Sequence, residues 1–165
     1  MGLKFGITHA EYRYNKRDDK VYLIEIAARG GGDRISSDLT KLASGFNTNE
    51  ALIDYVVEGN VHKVNFDKLY DKVALWQGIA FSNDGIICNI KGLEDIKNID
   101  GVYKVEIKDI QIGKKVSKFI DDTGKYGLIF ISANTEKECY KILNKVKDTL
   151  RIEINTNEGI KTQVW

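Results

Sequence analysis

Two glutamates in a strand–loop–strand pattern carry the most chemical content of this chain. Glu11 stands in Ile7-Thr-His-Ala-Glu-Tyr-Arg-Tyr14 and Glu25 in Val21-Tyr-Leu-Ile-Glu-Ile-Ala-Ala28, with the polar stretch Asn15-Lys-Arg-Asp-Asp-Lys20 between them. Two strands joined by a short loop is the simple reading. Side chains alternate faces along a strand, so Ile7, His9, Glu11 and Arg13 share one side of the first strand. Val21, Leu23, Glu25, Ala27 and Arg29 share one side of the second. A hairpin centred on Asp18 sets Glu11 directly opposite Glu25. Directly opposed side chains lie about 5 Å apart, where like charges destabilise a sheet. Protonation of one carboxylate, a nearby arginine, or a divalent cation such as Mg²⁺ would each compensate. Magnesium typically takes only one or two carboxylates and completes its octahedron with water and phosphate, so a metal here would expect a phosphate beside it.

Arg29 follows Glu25 by two further same-face steps, and Gly30, Gly31 and Gly32 come next. Arginine's planar donors match phosphate or carboxylate oxygens. Glycines ahead of a helix N-terminus expose backbone N–H groups and let an anion approach the main chain. The triple glycine matches neither the Walker pattern nor the dinucleotide fingerprint. Asp33 and His9 could orient a substrate; their ordinary alternatives are a surface ion pair of Asp33 with Arg34 and a hydrogen bond of His9 within the sheet. Glu25, flanked by Val21, Leu23, Ala27, Ile24 and Ile26, reads as part of a buried strand, where an unpaired charge is costly.

The elements that must position these groups alternate between strands and helices. After the glycines, Ser36 or Ser37 caps a short helix carrying Leu39, Leu42 and Ala43, ended by Gly45. Asn47 and Glu50 have capping-box spacing ahead of Leu52, Tyr55 and Val56, with Gly59 as the stop. A charged connector over residues 61–72 marks a boundary, giving units 1–60 and 61–165. Strands are expected over 73–81 and 86–90, paired as a hairpin across Ser82-Asn-Asp-Gly85. Further strands are expected over 102–107 and 126–132. Thr135 and Glu138 form a second capping box before the stripe Cys139, Ile142, Leu143 and Val146, and a last strand covers 151–154. Alternating strands and helices with no repeat argue for an α+β or α/β architecture.

Composition narrows the partners. The 165 residues suit one ordinary domain or two small ones, enough to bury roughly 70% of the unfolded surface. No apolar run approaches the roughly 20 residues of a spanning helix, and no signal-peptide pattern opens the chain, so no membrane is expected and the cytoplasm is the default address. Twenty-five basic residues against 24 acidic ones give a net charge of +1, which offers no field for nucleic acid. Cys88 and Cys139 read as core thiols, and His9 and His62 have no zinc-like spacing.

Gly6-Ile-Thr-His-Ala-Glu-Tyr-Arg13 followed by Tyr22-Leu-Ile-Glu-Ile-Ala-Ala-Arg-Gly-Gly-Gly-Asp33 resembles the C-terminal end of an ATP-grasp domain. The kind is that of carboxylate-amine ligases, which include amino-acid ligases and carbamoyl-phosphate-synthase-like proteins. The resemblance implies that Glu11 and Glu25 hold Mg²⁺ bridging the phosphates of ATP, with Mn²⁺ able to take its place. It implies that Arg29 contacts the transferred phosphate or the acyl phosphate. Many members carry Asn two residues after the second glutamate as another metal ligand; here that residue is Ala27. Gly85-Ile-Ile-Cys-Asn-Ile-Lys-Gly92, Gly101-Val-Tyr-Lys-Val105, Gly113-Lys-Lys-Val116 and Gly127-Leu-Ile-Phe-Ile-Ser132 resemble the small α+β C-terminal domain of the same ligases.

The expected architecture is therefore the C-terminal lobe of an ATP-grasp domain over 1–60, of antiparallel strands plus helices, followed by a small α+β domain over 61–165. The adenine pocket, the phosphate lysines and the flexible loop of such an enzyme have no counterpart here. A C-terminal fragment is expected, cut from a longer ligase or working beside a separate subunit. The implied activity of the parent joins a small-molecule carboxylate to an amine through an acyl phosphate, with this chain alone inactive. The competing reading is a non-catalytic binding or assembly module, in which an exposed sheet edge favours a homo-oligomer.

Overall fold

The polar stretch after the first strand folds back through a turn at residues 16–19, with Asp19 in the left-handed region at φ 54°. In the computed structural model this sets β1 (His9–Asn15) antiparallel to β2 (Lys20–Ala27) as a two-stranded ribbon. The structure describes Gly2, residues 5–59 and residues 69–165; most of the connector expected over 61–72, and His62 with it, lies outside the described residues. The Tyr14 hydroxyl donates to Asp19 at 2.5 Å and the Tyr22 hydroxyl to Asp18 at 2.6 Å, so the strands' own tyrosines brace the turn.

Beyond the glycines, a π-type turn (Ile35–Leu39) runs directly into α1 (Thr40–Ser44), which Gly45 ends at φ 77°. The serines do not cap it. Asp33 and Arg34 are both left-handed, at φ 45° and 64°, and start the coil before the serines are reached. Ser36 Oγ instead donates to the Gly31 carbonyl and Ser37 Oγ to Asp38 Oδ2. In α2 (Thr48–Glu58) the expected cap is present: Asn47 accepts from the Glu50 N–H at 3.2 Å, and Gly59 closes the helix at φ 74°.

The chain divides into two compact units, Met1–Asp71 and Lys72–Trp165. In the second, the strands are β3 (Val73–Phe81), β4 (Gly85–Lys91), β5 (Val102–Ile107), β6 (Lys115–Val116), β7 (Gly127–Ala133), β8 (Arg151–Thr156) and β9 (Gly159–Val164). They form one sheet in the order β5-β7-β3-β9-β8-β4-β6. The hairpin expected of β3 and β4 is not formed. β3 pairs with β7 and β9, β4 pairs with β6 and β8, and the β8–β9 hairpin lies between them. The Asp-Gly turn signal is put to another use: Gly85 is absent from the positive-φ residues, and Asp84 Oδ1 accepts from the Lys118 N–H at 2.7 Å.

Cys88 is exposed, contrary to the expected core thiol, whereas Cys139 is buried. The pairing of β4 with β8 slips between Ile87 and Asn89, so Cys88 is the extra residue of a bulge and its thiol reaches the Glu153 carbonyl at the surface. On the other side of the sheet, α3 (Glu136–Thr149) starts where Thr135 accepts from the Glu138 N–H, as the spacing predicts. Its Cys139, Leu143 and Val146 pack with Ile79, Phe81, Ile129, Ile131, Ile152 and Ile154 of the strands in one core.

The helix passes into β8 without a loop, and one side chain splints the junction. Buried Gln163 on β9 accepts from the Ile152 N–H and donates to the Leu150 carbonyl, each at 2.7 Å. Its amide stands in for a strand backbone that the sharp corner does not supply. Replacing Gln163 by Leu would leave both main-chain groups buried and unpaired, with an expected loss of about 2–4 kcal/mol in chemical denaturation of the second unit.

The first unit has nothing comparable, for none of its described residues is buried. A lone two-stranded ribbon is marginal in water. Native-state hydrogen exchange should therefore show amides of residues 10–26 exchanging at least about 100-fold faster than those of Ile79, Phe130 and Ile152. Equal protection in both units would show a core in the first that its described residues lack.

Candidate functional site

The register of the ribbon is set by a bulge. From Tyr12↔Leu23 to Asn15↔Lys20 the partners follow one offset, which would face Glu11 with Ile24; between Glu11 and Tyr12 the register shifts by one, and Glu11 pairs with Glu25. Ile24 is the extra residue on β2. The consequence is a change of face, because an inserted residue reverses the alternation beyond it. Tyr12, Tyr14, Val21 and Leu23 share one face, while His9, Glu11, Arg13, Tyr22, Glu25 and Ala27 share the other. Val21 and Leu23 thus lie opposite to Glu25, a correction to simple alternation.

The ribbon is also not a buried strand pair. Leu23 is 54% and Ile24 59% exposed, and Glu11 and Glu25 are both exposed. The two carboxylates are open to water, and a cation there would keep the waters and phosphate oxygens that magnesium prefers. His9 Nε2 lies 3.6 Å from Glu11 Oε1, two residues away on the same face. No group of three or more His, Cys, Asp or Glu gathers among the described residues. The carboxylates that the register sets opposite each other on this face are two, Glu11 and Glu25, and one or two carboxylates are what Mg²⁺ usually takes from protein.

The loop after β2 is built by close packing. A β-carbon on Gly31 would lie 2.9 Å from His9 Nδ1 and 2.9 Å from Ile35 Cβ, and one on Gly30 would lie 2.5 Å from Ser36 Oγ. Neither position has room for a side chain, so the glycines press the loop against His9 and the π-type turn. Gly32 has open space around it, and its carbonyl accepts from the Ile35 N–H at 2.8 Å. The helical stretch that follows is two short five-residue pieces, not the regular helix expected to point its N-terminus at an anion. Arg29 lies two residues past the end of β2, where strand alternation no longer decides its direction; its Nη1 donates to the Gly30 carbonyl at 3.0 Å. Asp33 is exposed with a left-handed backbone.

The structure thus brings Glu11, Glu25 and His9 onto one face and seats His9 against Gly31, with Arg29 held at the same loop. Sequence reasoning missed the bulge. Its only trace was that Ile24 and Ile26, on the face that simple alternation sets opposite Leu23, are as apolar as Leu23.

Residues 79–155 match the family described as L-amino acid ligase C-terminal domain 2. Among solved structures, the L-amino acid ligase from Bacillus licheniformis superposes with a TM-score of 0.74 at 25% identity, over 94% of this chain and 38% of that one. A phosphoribosylglycinamide synthetase from Anaerococcus prevotii has a TM-score of 0.73 at 18% identity, over 88% of this chain and 36% of that one. A pyruvate carboxylase from Rhizobium etli has a TM-score of 0.66 at 17% identity, over 89% of this chain and 15% of that one. The last two speak for the fold alone. No curated protein matches the sequence. This chain spans under two fifths of the length of each of these relatives. The mixed, antiparallel α+β architecture agrees with the resemblance read from the residues: over nearly its whole length the chain has the fold of the C-terminal portion of an ATP-grasp ligase, and residues 79–155 match the L-amino acid ligase C-terminal domain.

Proposed function

We propose that this chain is the C-terminal portion of an ATP-dependent ligase that joins a small carboxylate to an amine. Residues 1–60 would complete the catalytic lobe and residues 61–165 would form the small C-terminal domain. The observation that carries the reading is the pairing of Glu11 with Glu25 on one open face of the ribbon. In the reaction the γ-phosphoryl group of ATP passes to a carboxylate oxygen, ADP leaves, the amine attacks the acyl carbon, and phosphate departs as the amine gives up a proton. Magnesium bound by Glu11 and Glu25 would supply charge neutralisation at the transferring group.

The chain's own residues supply position and electrostatics. Arg29, already tied to the loop through Gly30, presents a planar fork suited to the acyl phosphate. Gly31 lets the loop close on His9 and Gly30 lets it close on Ser36, while Gly32, with open space around it, would let a phosphate approach the main chain. His9, beside Glu11, and exposed Asp33 would orient the amine or the carboxylate. Small soluble substrates and ATP put the reaction in the cytoplasm; no helix among the described residues is long and apolar enough to cross a membrane.

The same structure supports incompleteness. The apolar residues of the ribbon and of α2, with Val57 75% exposed, await a covering surface. The remainder of the ligase, on one polypeptide or as a separate subunit, would provide it together with the adenine pocket. The exposed ribbon also suits the second reading, a non-catalytic assembly module or a homo-oligomer, and mutation separates the two.

In the ligase reconstituted with its N-terminal part, Glu25→Gln should lower kcat for ADP formation at least about 100-fold without changing thermal stability. Arg29→Lys should lower it similarly, because the charge is kept and the fork lost. Full activity in the Glu25→Gln, Arg29→Lys double variant would establish the module instead. The 165-residue chain alone should show no ATP turnover in a phosphate-release assay with Mg²⁺; robust hydrolysis would overturn the incompleteness.

A further inference from the structure

The second unit holds a groove that the ribbon's chemistry does not use. A cavity of about 500 Å³ opens beside α3, at the end of β7 and the loop before β5. Its shape is fixed by main-chain packing. At Gly101, with φ 89°, a β-carbon would run into Ile142 Cδ1, so the loop lies directly on α3. The Gly101 carbonyl accepts from the Ser132 N–H at 3.0 Å, tying the same loop to β7.

The charged lining is Lys72, Lys141 and Lys145 against Asp100 and Glu138. Lys141 and Lys145 are four residues apart on α3, so their ammonium groups are neighbours on one helix face and repel each other. Neither ammonium has a carboxylate partner among the described residues, although Glu138 is only three residues before Lys141. Elsewhere in this unit Lys97, Lys104, Lys114 and Lys161 each have a carboxylate within 4 Å. A single negative charge would satisfy one of the two lysines; a ligand with two would bridge them and remove their repulsion. Asp100 and Glu138 turn away anions that spread across the groove, which favours a small one at the lysine end.

We infer that this groove binds a small, multiply charged oxyanion, with Lys141 and Lys145 as its anchors. Phosphate and carboxylate groups share the chemistry, and the experiment separates them. The ¹⁵N-labelled 165-residue chain is titrated with pyrophosphate and, separately, with citrate, without added metal. Saturable shifts centred on the amides of Gly101, Ser132, Asn134, Lys141 and Lys145 are expected with at least one of them. Saturation by pyrophosphate alone assigns a phosphate ligand, and by citrate alone a carboxylate one. The Lys141→Gln, Lys145→Gln double variant, which keeps good helix formers on α3, should bind at least about tenfold more weakly. Lys115→Gln with Lys137→Gln removes the same charge from outside the groove and should leave affinity unchanged. No saturable shift with either anion, or equal weakening in the two double variants, overturns the inference. Neither outcome bears on Glu11 and Glu25, so this test and the ligase reading fail separately.

Discussion

One inserted residue governs the candidate site. Without Ile24 as a bulge, the register running up from the turn would set Glu11 against Ile24 and leave Glu25 facing the other side of the ribbon. A single slip exchanges every side chain between faces. The bulge reverses the alternation at the point where His9, Glu11, Glu25 and Ala27 begin, gathering the polar chemistry on one face and leaving Tyr12, Tyr14, Val21 and Leu23 on the other. It is a local irregularity with a large consequence. Bulges concentrate where a strand must re-aim a side chain, and this one re-aims a carboxylate.

The two units are stabilised in different ways. In the second, seven strands and α3 bury a continuous set of isoleucines, phenylalanine and leucines, and even the awkward passage from α3 to β8 is satisfied by Gln163. In the first, local devices carry the structure: tyrosine hydroxyls on the turn, the Asn47 cap, glycine stops and the stacking of Phe5 on Tyr55. Such devices are worth about 1 kcal/mol each, and they shape a chain more than they stabilise it. The entropy of ordering the ribbon calls for apolar burial, and the ribbon offers apolar residues without a surface to bury them against. A segment with the sequence of a core strand and the exposure of a surface one is suited to an interface.

Much of this was legible in the residues because the signals were local. The capping boxes at Asn47 and Thr135, the glycine stops at Gly45 and Gly59, and the strands at β5 and β7 follow from short-range chemistry and are found where the spacing put them. Apart from the serine cap, displaced by the left-handed Asp33 and Arg34 just before it, the failures are non-local. Asp84-Gly85 marks a turn, but whether the flanking strands pair depends on β9, some 75 residues away, inserting its hairpin between them. Cys88 reads as a core thiol until the register with β8 makes it the bulged residue. The opposition of Glu11 and Glu25 was anticipated from a hairpin centred on Asp18, yet the turn is centred half a residue earlier and the bulge restores the pairing. Agreement there came from the far end of the ribbon, which no turn rule describes.

Exposure also changes what the opposed carboxylates require. Two unit charges about 5 Å apart repel by only about 0.8 kcal/mol in bulk water, but by about 3 kcal/mol at an effective dielectric constant near 20. On the open ribbon water screens such a repulsion, so the geometry alone does not demand a cation, contrary to what a buried strand would imply. The demand would arise if a covering lobe removed water from that face. On the proposed reading, metal binding and closure of the ligase are therefore coupled: covering the ribbon strengthens the attraction for Mg²⁺, and Mg²⁺ offsets the repulsion that covering would otherwise introduce. On that reading the affinity for the metal would belong to the assembled enzyme, because the dielectric that creates it would be supplied by the part that covers the ribbon.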